Sequence, residues 1–175
     1  AFEVIVVDDG SSDDTEFLLR RIREQYPHLR ATTIREDKKF THGKKLAVTI
    51  GIKSAKNDIL VFTDADCEPA SDQWLNRIVS KFSGEKEIVL GYGGYFSHRG
   101  LLNKYIRYDT LFIAMQYLSF ALCGFPYMGV GRNIAYRKSF YKKTAGFSKH
   151  LHILSGDDDL FVNENANKRN TTVEF

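Results

Sequence analysis

The chain has 175 residues, 43% of them hydrophobic, a single-domain length with enough apolar material for a sizeable core. Its 25 Lys and Arg against 22 Asp and Glu leave a net charge of +3, too small a surplus for a nucleic-acid footprint. The two cysteines, Cys67 and Cys123, lack metal-ligand spacing and read as reduced intracellular thiols, and the apolar opening without a basic leader speaks against a signal peptide.

The first element is the apolar run Val4-Ile5-Val6-Val7, which reads as a buried strand. It ends in Asp8-Asp9-Gly10-Ser11-Ser12-Asp13-Asp14-Thr15, where Gly and Ser make a turn and Asp13 with Glu16 offers a capping box. A helix follows, with Phe17, Leu18, Ile22 and Tyr26 as its apolar stripe. Asp8 and Asp9 thus fall where a sheet presents ligands, while Ser12 or Asp13 caps the helix.

Next comes a basic segment with Lys38, Lys39, His42, Gly43, Lys44 and Lys45, leading into a helical pattern over residues 46–52. Lysines in a first helical turn oppose the macrodipole, so they invite an anion that both amides and ammonium groups can hold. The plainer reading is a solvated run of charge.

Residues 59–62, Ile-Leu-Val-Phe, read as a strand that runs straight into Thr63-Asp64-Ala65-Asp66-Cys67-Glu68-Pro69. Side chains two apart on a strand share a side, so Asp64 and Asp66 converge if the extended conformation persists. Hard oxygen ligands in small number suit Mg²⁺ or Mn²⁺ completed by a substrate diphosphate, and the carboxyl ends of strands are where open α/β sheets bind ligands. The alternative is a surface turn, which Asp and Pro69 also favour.

Residues 71–82 predict a helix with Trp74, Ile78 and Phe82 on one face, and residues 88–92 a strand. Gly91, Gly93 and Gly94 permit either a tight bend or close approach of a substrate. Residues 103–122 form a helical candidate crowded with Tyr, Phe, Leu and Ile; interrupted by Arg107, Asp109 and Gln116, it is too polar for a membrane span. It reads as a core helix or as one lying at a membrane interface. Gly129 and Gly131 form an isolated Gly-x-Gly, a strand-like Ile134-Ala135-Tyr136 follows, and a helix runs from Lys138 toward Gly146. Asp157, Asp158 and Asp159 then form an acidic helix start, favourable with the dipole whatever else they do. The alternation of apolar runs with helical patterns argues for an α/β fold.

Four segments together resemble the ordered motifs of family 2 glycosyltransferases: residues 6–15, Gly43-Lys44-Lys45-Leu46-Ala47, Phe62-Thr63-Asp64-Ala65-Asp66, and Ser155-Gly156-Asp157-Asp158-Asp159-Leu160. The resemblance covers nearly the whole chain. It implies a GT-A, Rossmann-like, mixed but mostly parallel sheet flanked by helices, forming one catalytic domain over residues 1–175 that inverts the anomeric centre. It further implies that Asp9, with Asp8 nearby, contacts a nucleobase and that Lys44 or Lys45 lies near the nucleotide. Asp64 would contact the ribose or the metal shell, and Asp66 would hold Mg²⁺ or Mn²⁺ against the diphosphate. The family's late motif is commonly Glu-Asp-x-Asp-Leu, with the first Asp as general base; counting back from Leu160 points to Asp157, but Gly156 stands where Glu is usual, which leaves Asp158 as a rival. The segment ahead of the base lines the acceptor side in this family, so Tyr127, Arg132 and Asn133 are acceptor candidates.

The implied partners are a nucleotide-diphospho-sugar donor and a glycan or lipid-linked acceptor, used in cell-surface polysaccharide or glycolipid synthesis. The implied location is the cytoplasm, at the inner face of a membrane. The family's first strand, which normally precedes Phe2, and the elements usual beyond Phe175 are not in this chain, so the expectation is a fragment with an incomplete nucleotide pocket. The chemistry needs a carboxylate in any case, because an acceptor hydroxyl must lose its proton as it attacks the anomeric carbon. Two alternatives use the same residues differently: a nucleotidyltransferase with Asp-bound Mg²⁺, and a noncatalytic nucleotide-sugar-binding module in which Asp157 to Asp159 only cap a helix.

Overall fold

The computed structural model describes residues 1–34, 43–144, 146–147 and 156–175. The chain divides into two compact units, Ala1–Asp58 and Ile59–Phe175. Lys38, Lys39 and His42 lie outside the described residues.

In the first unit, β1 (Val4–Asp8) pairs in parallel with β2 (Leu29–Thr33), from Val4 opposite Leu29 to Asp8 opposite Thr33. A parallel pair needs a crossover, and α1 (Thr15–Gln25) supplies it. The expected stripe on α1 is not buried: Phe17 and Leu18 are 63% and 53% exposed, and Tyr26 follows the helix as its C-cap. The capping box does not form either. Asp14 is the N-cap, Asp13 Oδ1 accepts the Thr15 amide and hydroxyl, and Glu16 pairs with Arg20 at 3.4 Å. Asp13 sits one residue too early to reach the third helical amide, so it closes a local turn instead.

Helix α2 (Lys44–Ser54) begins where the basic segment predicts and buries Ile52, with Gly51 lying against Val7. Glu3 ties the start of β1 to the far end of this unit, accepting the Lys56 amide at 2.7 Å, the Asn57 side chain at 3.0 Å and Arg30 at 3.2 Å. Those donors, the Lys56 amide first, hold its carboxyl below the usual range.

The second unit is built on a four-stranded sheet in the order β3-β5-β4-β6, with β3 Ile59–Phe62, β4 Ile88–Gly91, β5 Ile134–Arg137 and β6 Thr171–Glu174. β5 runs antiparallel to both its neighbours, whereas β4 and β6 are parallel. The sheet is therefore mixed, and helices flank it. Strand alternation gives it two different faces. Val89 and Ala135 meet Ile78 of α3 (Trp74–Ser80), with Val61, Trp74 and Phe82 around them, so the predicted Trp74, Ile78, Phe82 face is realised on a shorter helix. On the other face Tyr136 stacks on Phe62 at 4.6 Å and on Tyr141 of α5 (Lys138–Lys143) at 5.8 Å, and meets Phe161 at 4.8 Å, the latter from α6 (Asp157–Asn165). Arg77 and Lys81 bracket Glu174 at 2.6 and 3.0 Å, fastening the α3 segment to β6.

Helix α4 (Leu101–Leu122) packs as a core helix along one side only. One side buries Ala114, Tyr117, Leu118 and Ala121, and the opposite side exposes Leu101, Tyr105, Tyr108, Phe112 and Met115. Among the described residues, no helix is long and apolar enough to cross a membrane.

Candidate functional site

In the first unit the acidic strand end is well formed. Asp8 is 5% exposed, and its Oδ1 accepts both the amide (3.0 Å) and the hydroxyl (2.5 Å) of Ser11. These donors, the Ser11 hydroxyl first, lower its pKa against the opposing effect of burial. Gly10 makes the turn possible with φ +79°, a left-handed conformation, while Asp9 is exposed. At the start of α2, Lys44 is exposed and Lys45 is buried, with no acidic residue in the first turn. An anion-friendly dipole end with two lysines is chemistry suited to a phosphate.

In the second unit, register decides what comes together. Phe62 and Leu90 both lie opposite Ile134 across antiparallel pairs. The residues after Phe62, the residues after Leu90 and the residues before Ile134 therefore share one edge of the sheet. That edge carries Asp64 and Asp66, Tyr92 and Gly93, and Arg132 and Asn133, at the carboxyl ends of β3 and β4, where ligands bind in such sheets.

Asp64, Asp66 and Cys67 bring one ligand atom each within 4.8 Å of one another. The turn is drawn in by the Cys67 amide, which donates to the Asp64 carbonyl at 3.1 Å, and the Cys67 Sγ lies 3.8 Å from Asp66 Oδ1. Two converging carboxylates at an accessible edge fit a hard divalent ion that keeps part of its water shell. Cys67 was given no role by its spacing; the turn, visible in the sequence only as Pro69 downstream, puts it there.

The glycines at and just after the end of β4 make room for neighbouring side chains of the protein. A Cβ on Gly91 would strike the Asn133 side chain, and one on Gly93 would lie 2.6 Å from Arg132 Cγ. Asn133 is held by both ends: its Oδ1 accepts Trp74 Nε1 at 3.1 Å and its Nδ2 donates to the Tyr92 carbonyl at 2.8 Å. Arg132 lies over the ring of Tyr95 at 5.2 Å and donates to its hydroxyl at 3.3 Å. Tyr127 is half-buried, edge-on to Phe120 at 5.5 Å.

Asp157 and Asp158 open α6 after Gly156, which caps it in a left-handed conformation at φ +79°. Asp158 is half-buried; the placement of the Asp157 side chain lies outside the described residues. Asp159 has a different position from either. Its carboxylate accepts the Gly129 amide, Oδ1 is buried without a partner, and burial raises its pKa. One turn on, Asn163 Nδ2 donates to the Tyr127 carbonyl at 3.3 Å, so α6 grips the segment that carries Tyr127 at two points. Counting back from Leu160 sets Asp159 at the second Asp of the family's late motif, but its contact depends on where Gly129 lies, which spacing does not give.

The profile described as Glycosyl transferase family 2 matches residues 1–145. Glycosyltransferase AglE of Haloferax volcanii is 36% identical over 115 residues, which cover 66% of this chain and 36% of that protein. Beta-monoglucosyldiacylglycerol synthase of Trichormus variabilis is 33% identical over 85 residues, covering 49% of this chain and 18% of the synthase. Among solved structures, the mannosyltransferase PcManGT of Pyrobaculum calidifontis, in complex with GDP-Man and Mn²⁺, superimposes with a TM-score of 0.72 at 22% identity, over 98% of this chain and 47% of that one. The chain thus spans less than half the length of each of these relatives. With a mixed α/β architecture shared with GT-A enzymes and the family profile spanning most of its length, the chain belongs to glycosyl transferase family 2.

Proposed function

We propose that residues 1–175 form the catalytic domain of an inverting glycosyltransferase, one that moves a sugar from a nucleotide-diphospho-sugar to an acceptor hydroxyl in cell-surface polysaccharide or glycolipid synthesis. The observation that carries this reading is the convergence of Asp64, Asp66 and Cys67 just past the end of β3. It is supported by AglE, which is named a glycosyltransferase, by PcManGT, whose complex contains GDP-Man and Mn²⁺, and by the synthase, whose name gives a glycolipid product.

In this reading Asp8 and Asp9 serve the nucleobase, and Lys44 and Lys45 hold the nucleotide's anionic part. Asp66, with Asp64, holds Mg²⁺ or Mn²⁺, which when bound supplies Lewis-acid stabilisation of the departing diphosphate. Asp157 or Asp158 takes the proton from the acceptor hydroxyl as its oxygen forms a bond to the anomeric carbon and the bond to the nucleoside diphosphate breaks. A single displacement of that kind inverts the centre. On the acceptor side, Tyr127 and Arg132 face the sugar-accepting molecule, while Asn133, tied to Trp74 and Tyr92, keeps the edge of the sheet in place.

Titration calorimetry of UDP and GDP with and without Mn²⁺ tests the donor site. The expected result is metal-dependent binding of one of them, weakened at least tenfold by Asp66→Ala; metal-independent binding that Asp66→Ala leaves intact sinks the assignment. For the base, Asp157→Asn and Asp158→Asn should leave donor binding intact while one of them lowers turnover by about 10²-fold or more.

A further inference from the structure

A cavity of about 110 Å³ lies between the end of β4 and the inner side of α4. Its lining is apolar through Ile113, Ala114, Met128 and Val130, with Tyr92, Thr110, Tyr117 and the cation Arg132 as its polar members. Arg132 is half-buried, its Nε is buried without a hydrogen-bond partner, and no ion pair among the described residues includes it. Its guanidinium lies against the Tyr95 ring and donates to the Tyr95 hydroxyl. An unpaired buried cation is costly, and the planar fork of Arg matches phosphate and carboxylate oxygens.

Tyr117 does not neutralise it, because its hydroxyl donates to the Gly91 carbonyl at 2.7 Å and supplies no negative charge. Burial pushes that phenol up to about 12, so it stays neutral beside the guanidinium even though the Arg132 charge favours its ionised form. The result is a half-buried cation with no countercharge among the described residues, lining a largely apolar space that holds a small ring or a few methylenes. Antiparallel register puts Arg132 two residues before Ile134 and Asp64 two residues after its partner Phe62, so the cation and the carboxylates share one sheet edge.

We propose that this cavity seats an organic oxyanion, a phosphate or carboxylate borne on an apolar or ring-bearing stem, with Arg132 as the cation that reads it. Resting on the transferase reading above, the ligand is the acceptor, so the acceptor is an anionic molecule. The stem occupies the Ile113, Met128 and Val130 side and the anion takes two guanidinium N–H groups of Arg132 in a paired fork.

The test uses phenyl phosphate and benzoate as probes, with phenol and inorganic phosphate as matched controls, in chelator-containing buffer so that the carboxylate turn holds no metal. Calorimetry gives affinity, and the Arg Nε–Hε NMR resonance reports contact at the atom concerned. The expected result is that phenyl phosphate or benzoate binds at least tenfold more tightly than both phenol and inorganic phosphate and shifts the Arg132 resonance. Arg132→Gln should lose that tenfold margin, Arg132→Lys should keep part of it, and Asp66→Ala should leave it unchanged, each with a thermal melt to verify folding. Equal binding of phenol overturns the oxyanion, equal binding of inorganic phosphate overturns the apolar seat, and indifference to both Arg132 substitutions overturns the site. Because the probes need neither metal nor donor, failure here is distinct from failure of the Mn²⁺-dependent nucleotide titration.

Discussion

At the scale of single residues, Asp8 shows how a candidate ligand is prepared by its neighbours. The Ser11 amide and hydroxyl stabilise its ionised form, so its folded pKa lies below the usual 3.8. A depressed carboxylate contributes stability above the unfolded value and loses it as pH falls through the folded one. Ser11→Ala should therefore cost about 1 kcal/mol at pH 7, the net worth of one hydrogen bond, and that deficit should fade below about pH 3.8. Paired urea melts of the two proteins across that range check it; a deficit that persists undiminished in acid would show that the hydroxyl acts through packing rather than through the charge.

At the scale of elements, the end of β4 depends on the absence of a side chain. Asn133 occupies the space a Cβ would take at Gly91, and its backbone carbonyl lies 2.9 Å from that point, so the strand cannot simply push a flexible tip aside. Gly91→Ala should destabilise the second unit by roughly 2 kcal/mol or more, as overpacking next to fixed hydrogen bonds does. Loss of protection at the Trp74 indole N–H in hydrogen exchange would accompany it, because that group donates to the displaced Asn133. Glycine at this point was legible in the sequence as close approach, but what approaches was not: the candidates were a bend or a substrate, and the occupant is the chain itself. The helix faces were more legible. Trp74, Ile78 and Phe82 recur at helical spacing and do face the core, whereas Phe17 and Leu18 share a helical stripe that the first unit leaves exposed.

At the scale of the whole molecule, the outer side of α4 is an extended apolar surface. Leu101, Tyr105, Tyr108, Phe112 and Met115 recur one turn apart on the side opposite the buried residues, with Lys104 and Arg107 exposed on the same helix. An aromatic and apolar stripe with Lys104 at its margin suits the interfacial layer of an anionic bilayer, in keeping with the expected location at a membrane face and a lipid-linked acceptor. Sedimentation with vesicles containing phosphatidylglycerol should carry the protein down, with at least a fivefold loss for the double substitution Tyr108→Asp and Phe112→Asp. Equal recovery of the variant, or equal binding to purely zwitterionic vesicles, would remove the membrane from the proposal.

By itself the amino-acid sequence determined the α/β class, the acidic ends of β1 and β3, the basic start of α2 and the family motifs, because period-2 and helical patterns and short turn signals are local properties. Only the tertiary structure decided the rest. The insertion of β5 antiparallel between β3 and β4 is a pairing across more than 40 residues that no local pattern specifies, and it alone puts Arg132 and Asn133 at the edge that bears Asp64. The same holds for Asp159, distinguished from Asp157 and Asp158 by the Gly129 amide, and for Cys67, drawn beside the two carboxylates by its turn. Ionisable side chains take their roles from burial and from what lies opposite, and both are set when the chain closes on itself.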